Sequence, residues 1–177
     1  MPRKNLIRTN LHPYHITTRS NNKEWFYIPI QDVWKFCEEL IKEGEIEFNV
    51  KIEAFVLMNN HYHLCLYTPD ENLDKFMRFF NKGLSEKISR QAGRINRIFG
   101  APYKWTLIKN ELYFYNVLRY IYQNPLRAGI MRRCEDYPYS DISKKIKDRA
   151  LIDWFNQLAC KYELERTRKN LKKYEFI

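Results

Sequence analysis

Several things are scarce in this chain of 177 residues. Only five are glycine, which excludes collagen-like and glycine-rich low-complexity architectures. The longest purely apolar run is Ala54 to Met58, far short of the roughly 20 residues a membrane-spanning helix needs. The opening MPRKNLIRTN lacks the apolar core of a secretory signal. Cys37, Cys65, Cys134 and Cys160 form no CxxC pair, so neither a zinc knuckle nor a disulfide frame is indicated, and reduced, buried thiols are expected. Acidic residues are also in deficit, 21 against 31 basic ones, for a net charge of +10. With 16% aromatics, that balance favours a polyanionic partner, nucleic acid first, over a plain cationic surface. A cytoplasmic, nucleoid-associated protein with no membrane partner is the expectation.

What is present is a regular alternation of element types. Tyr14 to Thr18 reads as a strand, followed by a turn at Ser20-Asn21-Asn22. Val33, Phe36, Cys37, Leu40 and Ile41 make a helical stripe over 31–43 that Gly44 is placed to end. From Ile46 the period becomes two, through Phe48, Val50, Ile52 and Ala54, and FVLM continues the strand with both faces apolar. Asn59-Asn60 suits a two-residue hairpin turn, since asparagine tolerates positive φ. His61 to Tyr67 returns as a strand, and Leu73, Phe76, Met77, Phe80, Leu84 and Ile88 mark a long helix to about Arg90. A basic segment, GRINRIFG, leads to a strand over 103–109 and a helix over 111–123 that meets Pro125; DYPYS is a loop, and 150–172 a basic amphipathic helix. The order β-α-β-β-α-β-α predicts an α+β domain, a ferredoxin-like split βαβ with an antiparallel sheet and helices on one face. One domain over 1–145 and a helical basic tail over 146–177 follow.

The stretch NNHYHLCLYT holds two of the four histidines. On a strand His61 and His63 share a face with Cys65 and Tyr67, while Tyr62, Leu64 and Leu66 take the other. Two imidazoles so placed can hold one divalent ion, or can be a pair on a half-exposed sheet face with no metal. On the helix before Pro125, Tyr120 and Asn124 lie about 40° apart on one face, whereas Tyr122 projects roughly 160° away from Tyr120. A hydroxyl and an amide oxygen one turn apart could converge on the histidine face. Equally, tyrosine could fill a helix flank and Asn-Pro merely stop the helix.

NNHYHLCLY, YKWTLI and YIYQNPLRAGI followed by YPYS resemble the REP-associated tyrosine transposases, single-tyrosine members of the histidine-hydrophobe-histidine nuclease group, over residues 10–140. The resemblance implies His61 and His63 as metal ligands, Asn124 as the side chain completing the metal site, and Tyr120 as nucleophile. It implies Mg2+ or Mn2+, although the donors would also accept zinc or nickel. The expected partner is single-stranded DNA with palindromic hairpins, cut through a covalent 5′-phosphotyrosine link. Monomeric action is the expectation, with exchange of the tyrosine helix between two copies as the alternative.

Arg3, Lys4, Lys82, Arg94, Arg97, Lys104 and Arg127 are candidate phosphate contacts, and Tyr103 and Trp105 candidate stacking platforms. For Trp105, core packing is the competing assignment. The tail either docks on the core or lies over the cleft. A hairpin-binding module that does not cut, and a domesticated nuclease that rejoins host palindromes without transposing, remain the alternative functions.

Overall fold

The computed structural model describes residues 5–157. Four strands, β1 (Tyr14–Arg19), β2 (Lys51–Met58), β3 (His61–Tyr67) and β4 (Lys104–Leu107), form one sheet in the order β2-β3-β1-β4, every neighbour antiparallel. Helix α1 (Ile30–Glu47) joins β1 to β2 and α2 (Leu73–Ala92) joins β3 to β4. This is the expected split βαβ order, with β3 and β1 central.

The sheet separates two cores. Tyr14, Ile16, Phe55, Leu57, Tyr62, Leu64, Leu66 and Trp105 pack under α1 and α2. Ala54, Val56, Met58 and Cys65 pack under α3 (Glu111–Tyr122) on the opposite face. Helices therefore cover both faces, not one, because β2 is apolar on both sides and each side needs a cover. A bulge between Ile52 and Ala54 turns these two even-numbered residues to opposite faces.

Helix α1 runs past Gly44, where its end was expected. A Cβ on Gly44 would stand 2.5 Å from Cε2 of the buried Phe76 of α2, so the missing side chain serves close helix packing. Gly83 of α2 makes the reciprocal approach, its would-be Cβ 2.7 Å from a methyl of Leu40. Termination falls instead to Asn49, in the left-handed region at φ 50°. Ile46 and Phe48 are consequently not strand residues; Ile46 lies on the solvent side of α1. Asn59 and Asn60 do make a two-residue turn, since Met58 pairs with His61, but neither has positive φ. The turn is clasped from outside: the Ser20 and Phe26 amides donate to the Asn60 and Asn59 carbonyls at 2.8 and 2.7 Å.

DYPYS is more than a loop. The amide of Leu57 donates to the Tyr139 carbonyl, the Asp141 amide to the Phe55 carbonyl, and the Phe55 amide to Asp141 Oδ1. Tyr137 Oη donates to the Leu57 carbonyl at 2.8 Å. The segment thus shields the outer edge of β2, which would otherwise expose unpaired backbone groups. After the short α5 (Ile142–Lys145), helix α6 (Arg149–Asn156) starts on an Asp148 cap and buries Ile152 and Phe155. It stops at Asn156, shorter than predicted; the Gln157 carbonyl there accepts from Arg119 and Gln123 of the α3 end. The rest of the predicted 150–172 helix, and Arg3 and Lys4, lie outside the described residues.

Candidate active site

The site forms where β3 and β1 meet the last turn of α3. Residues 61 and 63 are on the α3 face, and the register that sets Thr17 opposite His63 brings His15 of β1 to the same face. The His15 and His63 rings are nearly parallel, 9° apart, with Nε2 of one 3.1 Å from Nδ1 of the other. The His61 and His63 ring centres are 5.2 Å apart.

Asn110 caps α3 by accepting from the Tyr113 amide at 2.8 Å, an interaction worth about 1 kcal/mol. Val117, Leu118 and Ile121 seat the helix on the sheet. Tyr120 then stands over the histidines, its ring edge-on to His63 at 5.5 Å and to His15 at 5.8 Å. Tyr122 turns away, as helical geometry predicts: it is buried against Phe155, with its hydroxyl donating to Asp141 Oδ1 at 3.1 Å.

Pro125 does not end the helical path. It occupies the first turn of α4 (Asn124–Arg127), where its missing N–H has no partner to lose, and the Arg127 amide still donates to the Gln123 carbonyl. Tyr120, Asn124 and Arg127 therefore follow one another on one face. Asn124 Nδ2 donates back to the Tyr120 and Ile121 carbonyls, which leaves its Oδ1 turned outward. The Arg127 guanidinium sits 5.4 Å from the Tyr120 ring centre and donates to Gln123 Oε1.

These groups line one cavity of about 900 Å³, which holds His61, His63, Tyr120, Asn124, Arg127 and Lys104 together with Arg19 and Lys23. Among the described residues, no aspartate or glutamate lines it. Burial lowers the pKa of His15 and His61 to about 4, for His61 with help from Arg19. His63 is also pushed well below its ordinary value, first by burial and then by its histidine neighbours and Arg19. All three imidazoles are neutral at pH 7, the form in which imidazole ligates metals. Among the described residues no three His, Cys, Asp or Glu side chains form a ligand cluster; the Asn124 amide lines the cavity together with His61 and His63.

The family model for IS200-like transposases matches residues 8–124, which span both the histidine strand and the tyrosine helix. The chain belongs to the IS200-like transposase family. A Haemophilus influenzae protein described as a putative REP-associated tyrosine transposase is 27% identical over 148 residues, 70% of this chain and 81% of that protein. A solved structure of a REP-associated tyrosine transposase bound to a REP hairpin superposes with a TM-score of 0.71, over 87% of this chain and 91% of that one, at 20% identity. That likeness establishes the same fold. The resemblance drawn from the motifs is found again here, and the chain is an enzyme of the tyrosine transposase type.

Within this transposase the other predicted contacts divide. Lys104 and Arg127 reach the cavity; Lys82, Arg94 and Arg97 do not line it. Lys82 is on α2, beyond the sheet, paired with Glu86 at 3.7 Å, and the Arg94 guanidinium lies on the Tyr27 ring at 3.5 Å. Trp105 is not a stacking platform: it is buried in the α1/α2 core, edge-on to Tyr14, because its strand position points it away from the cavity. Tyr103 packs partly buried against the same core. Sequence reasoning missed His15, Arg19, Lys23 and Asn60. For His15 a signal existed, a third histidine in a strand, but only the β1–β3 register shows which residue it meets. No helix among the described residues is long and apolar enough to cross a membrane.

Proposed function

We propose that this transposase is a metal-dependent, single-stranded DNA endonuclease and strand transferase that acts on palindromic hairpin DNA through a 5′-phosphotyrosine link on Tyr120. The observation that carries the reading is the convergence, in one cationic cavity, of two neutral histidines, an outward amide oxygen and a tyrosine held over them.

His61, His63 and Asn124 Oδ1 are the donors that would hold a divalent ion, Mg2+ or Mn2+ by the family resemblance, the amide oxygen suiting those ions and the two imidazoles accepting zinc or nickel as well. Such an ion, when bound, neutralises charge on the scissile phosphate. The chain's own residues do the rest. Lys104, Arg19 and Lys23 attract and hold the flanking phosphates. Tyr120 is held edge-on to His63 by α3, which fixes its approach to a phosphate lying over the histidines. Its oxygen forms a bond to phosphorus as the bond from phosphorus to the 3′ oxygen breaks; the phenol proton is released and the 3′ oxygen leaves as a hydroxyl. A second strand's 3′ hydroxyl reverses the step, so joining needs no ATP. The Arg127 guanidinium beside the ring favours charge developing on the phenol oxygen.

That the solved relative is bound to a REP hairpin supports hairpin DNA as the substrate here. The test is a denaturing gel of protein incubated with labelled single-stranded palindrome and Mn2+. A covalent band formed by wild type and Tyr122→Phe, and absent with Tyr120→Phe or with EDTA, is expected. DNA retained on native gels with no adduct from several palindromes would replace the enzyme with a binding module.

A further inference from the structure

Both histidines of the site have Nδ1 engaged by a neighbour, and the two neighbours are not part of the donor set. We infer that Asn60 and His15 are positioning residues that hold His61 and His63 as Nδ1–H tautomers, so that each turns an unprotonated Nε2 toward a divalent cation; the assignment for His63 and the last clause rest on the metal reading above.

For His61 the hydrogen-bond partners decide the tautomer. The Lys23 carbonyl can only accept, and Asn60 Nδ2 lies 2.7 Å from it, which assigns the amide nitrogen to that side. Asn60 Oδ1 then faces His61 Nδ1 at 2.6 Å. An amide oxygen also only accepts, so the His61 proton is on Nδ1 and the lone pair on Nε2. With the amide reversed, two acceptors would meet at the Lys23 carbonyl. The Lys23 carbonyl is itself set by an unusual backbone: Asn22 and Lys23 both have positive φ, 53° and 61°. The turn around Asn60 does not depend on the amide, because the Ser20 and Phe26 amides hold it through backbone carbonyls.

For His63 the partner is His15, buried and nearly coplanar, with Nε2 at 3.1 Å from His63 Nδ1. Two neutral imidazoles share one proton across that contact. Only donation from His63 Nδ1 to His15 Nε2 leaves His63 Nε2 free to ligate. Metal-bound histidines elsewhere are oriented in the same manner by a group on the other ring nitrogen, and losing that group typically weakens metal binding about ten- to a hundredfold.

The experiment uses full-length, 15N-labelled, metal-free protein, whose long-range proton–nitrogen correlations read each tautomer, followed by Mn2+ titration without DNA. Nδ1–H signals for His61 and His63 are expected in wild type. Asn60→Ala should move His61 to the Nε2–H form and weaken Mn2+ binding by about ten- to a hundredfold. Asn60→Asp, which gives up the donor to the Lys23 carbonyl but keeps an acceptor toward His61 Nδ1, should retain Nδ1–H, an outcome a merely structural role would not produce. His15→Phe, which keeps a ring without an acceptor, should weaken Mn2+ comparably. An Nε2–H His61 in wild type, or Mn2+ affinity unchanged in both Asn60→Ala and His15→Phe, would overturn the inference. Nδ1–H signals with no Mn2+ binding would end the metal reading while the tautomer assignment stood.

Discussion

Replacing Asp141 by asparagine should stabilise the protein at pH 8 and do little at pH 4. Asp141 is buried, and burial pushes its carboxyl up to about 6 from an ordinary 3.8, despite hydrogen bonds from the Phe55 amide and Tyr122 and the nearby Lys145 charge. The folded pKa is raised, so this residue's contribution is most favourable below the unfolded pKa and is lost as pH rises through about 6. A rise from 3.8 to about 6, at ~1.4 kcal/mol per pH unit, sets a ceiling of ~3 kcal/mol on the penalty of holding the ionised form. Asparagine keeps an oxygen to accept from both donors and cannot ionise, so Asp141→Asn should gain about 2 kcal/mol at pH 8, fading toward zero by pH 4. Urea unfolding of both proteins at pH 4, 6 and 8 gives the difference directly. A gain that does not change with pH, or a loss at pH 8, would refute the reasoning.

Gly44→Ala trades a helix-propensity gain of about 1 kcal/mol against overpacking of about 1–3 kcal/mol, so melting should fall by a few degrees. A rise in Tm would show that Phe76 can yield. Tyr122→Phe should lose about 1 kcal/mol with the Asp141 hydrogen bond while retaining the DNA adduct. Lys104→Ala should weaken single-strand binding and lower the salt-dependence slope by about 0.7, whereas Lys82→Ala should leave both unchanged. Fluorescence titrations at several salt concentrations distinguish the two.

Much of the fold was legible because its signals were local. The alternation in HYHLCLY marked the strand, and it put both histidines on one face correctly because a strand's period leaves no freedom. The failures were places where a non-local contact decided. Gly44 carries the usual mark of a helix end, but Phe76 from another helix makes it a packing position. Ile46, Phe48 and Val50 alternate, yet two of them are helical or capping residues, since three positions cannot separate period two from period 3.6. At the site, Tyr120 and Asn124 followed from one helix; Arg127 was named as a phosphate contact, but its place on the same face required knowing that Pro125 lets the helical path resume. The roles of Asn60 and Lys23 were invisible, and His15 showed only as a third strand histidine, because those roles exist only in the meeting of a loop, a turn and a neighbouring strand.

The central claim is that Tyr120, and no other tyrosine, attacks DNA. The measurement that reaches it most directly is mass spectrometry of the protein–DNA adduct after nuclease and trypsin digestion, with fragmentation of the 120–127 peptide that carries both Tyr120 and Tyr122. A 5′-phosphonucleotide on Tyr120 is the predicted result. The same mass on Tyr122, or an adduct on a peptide outside this helix, would contradict the account.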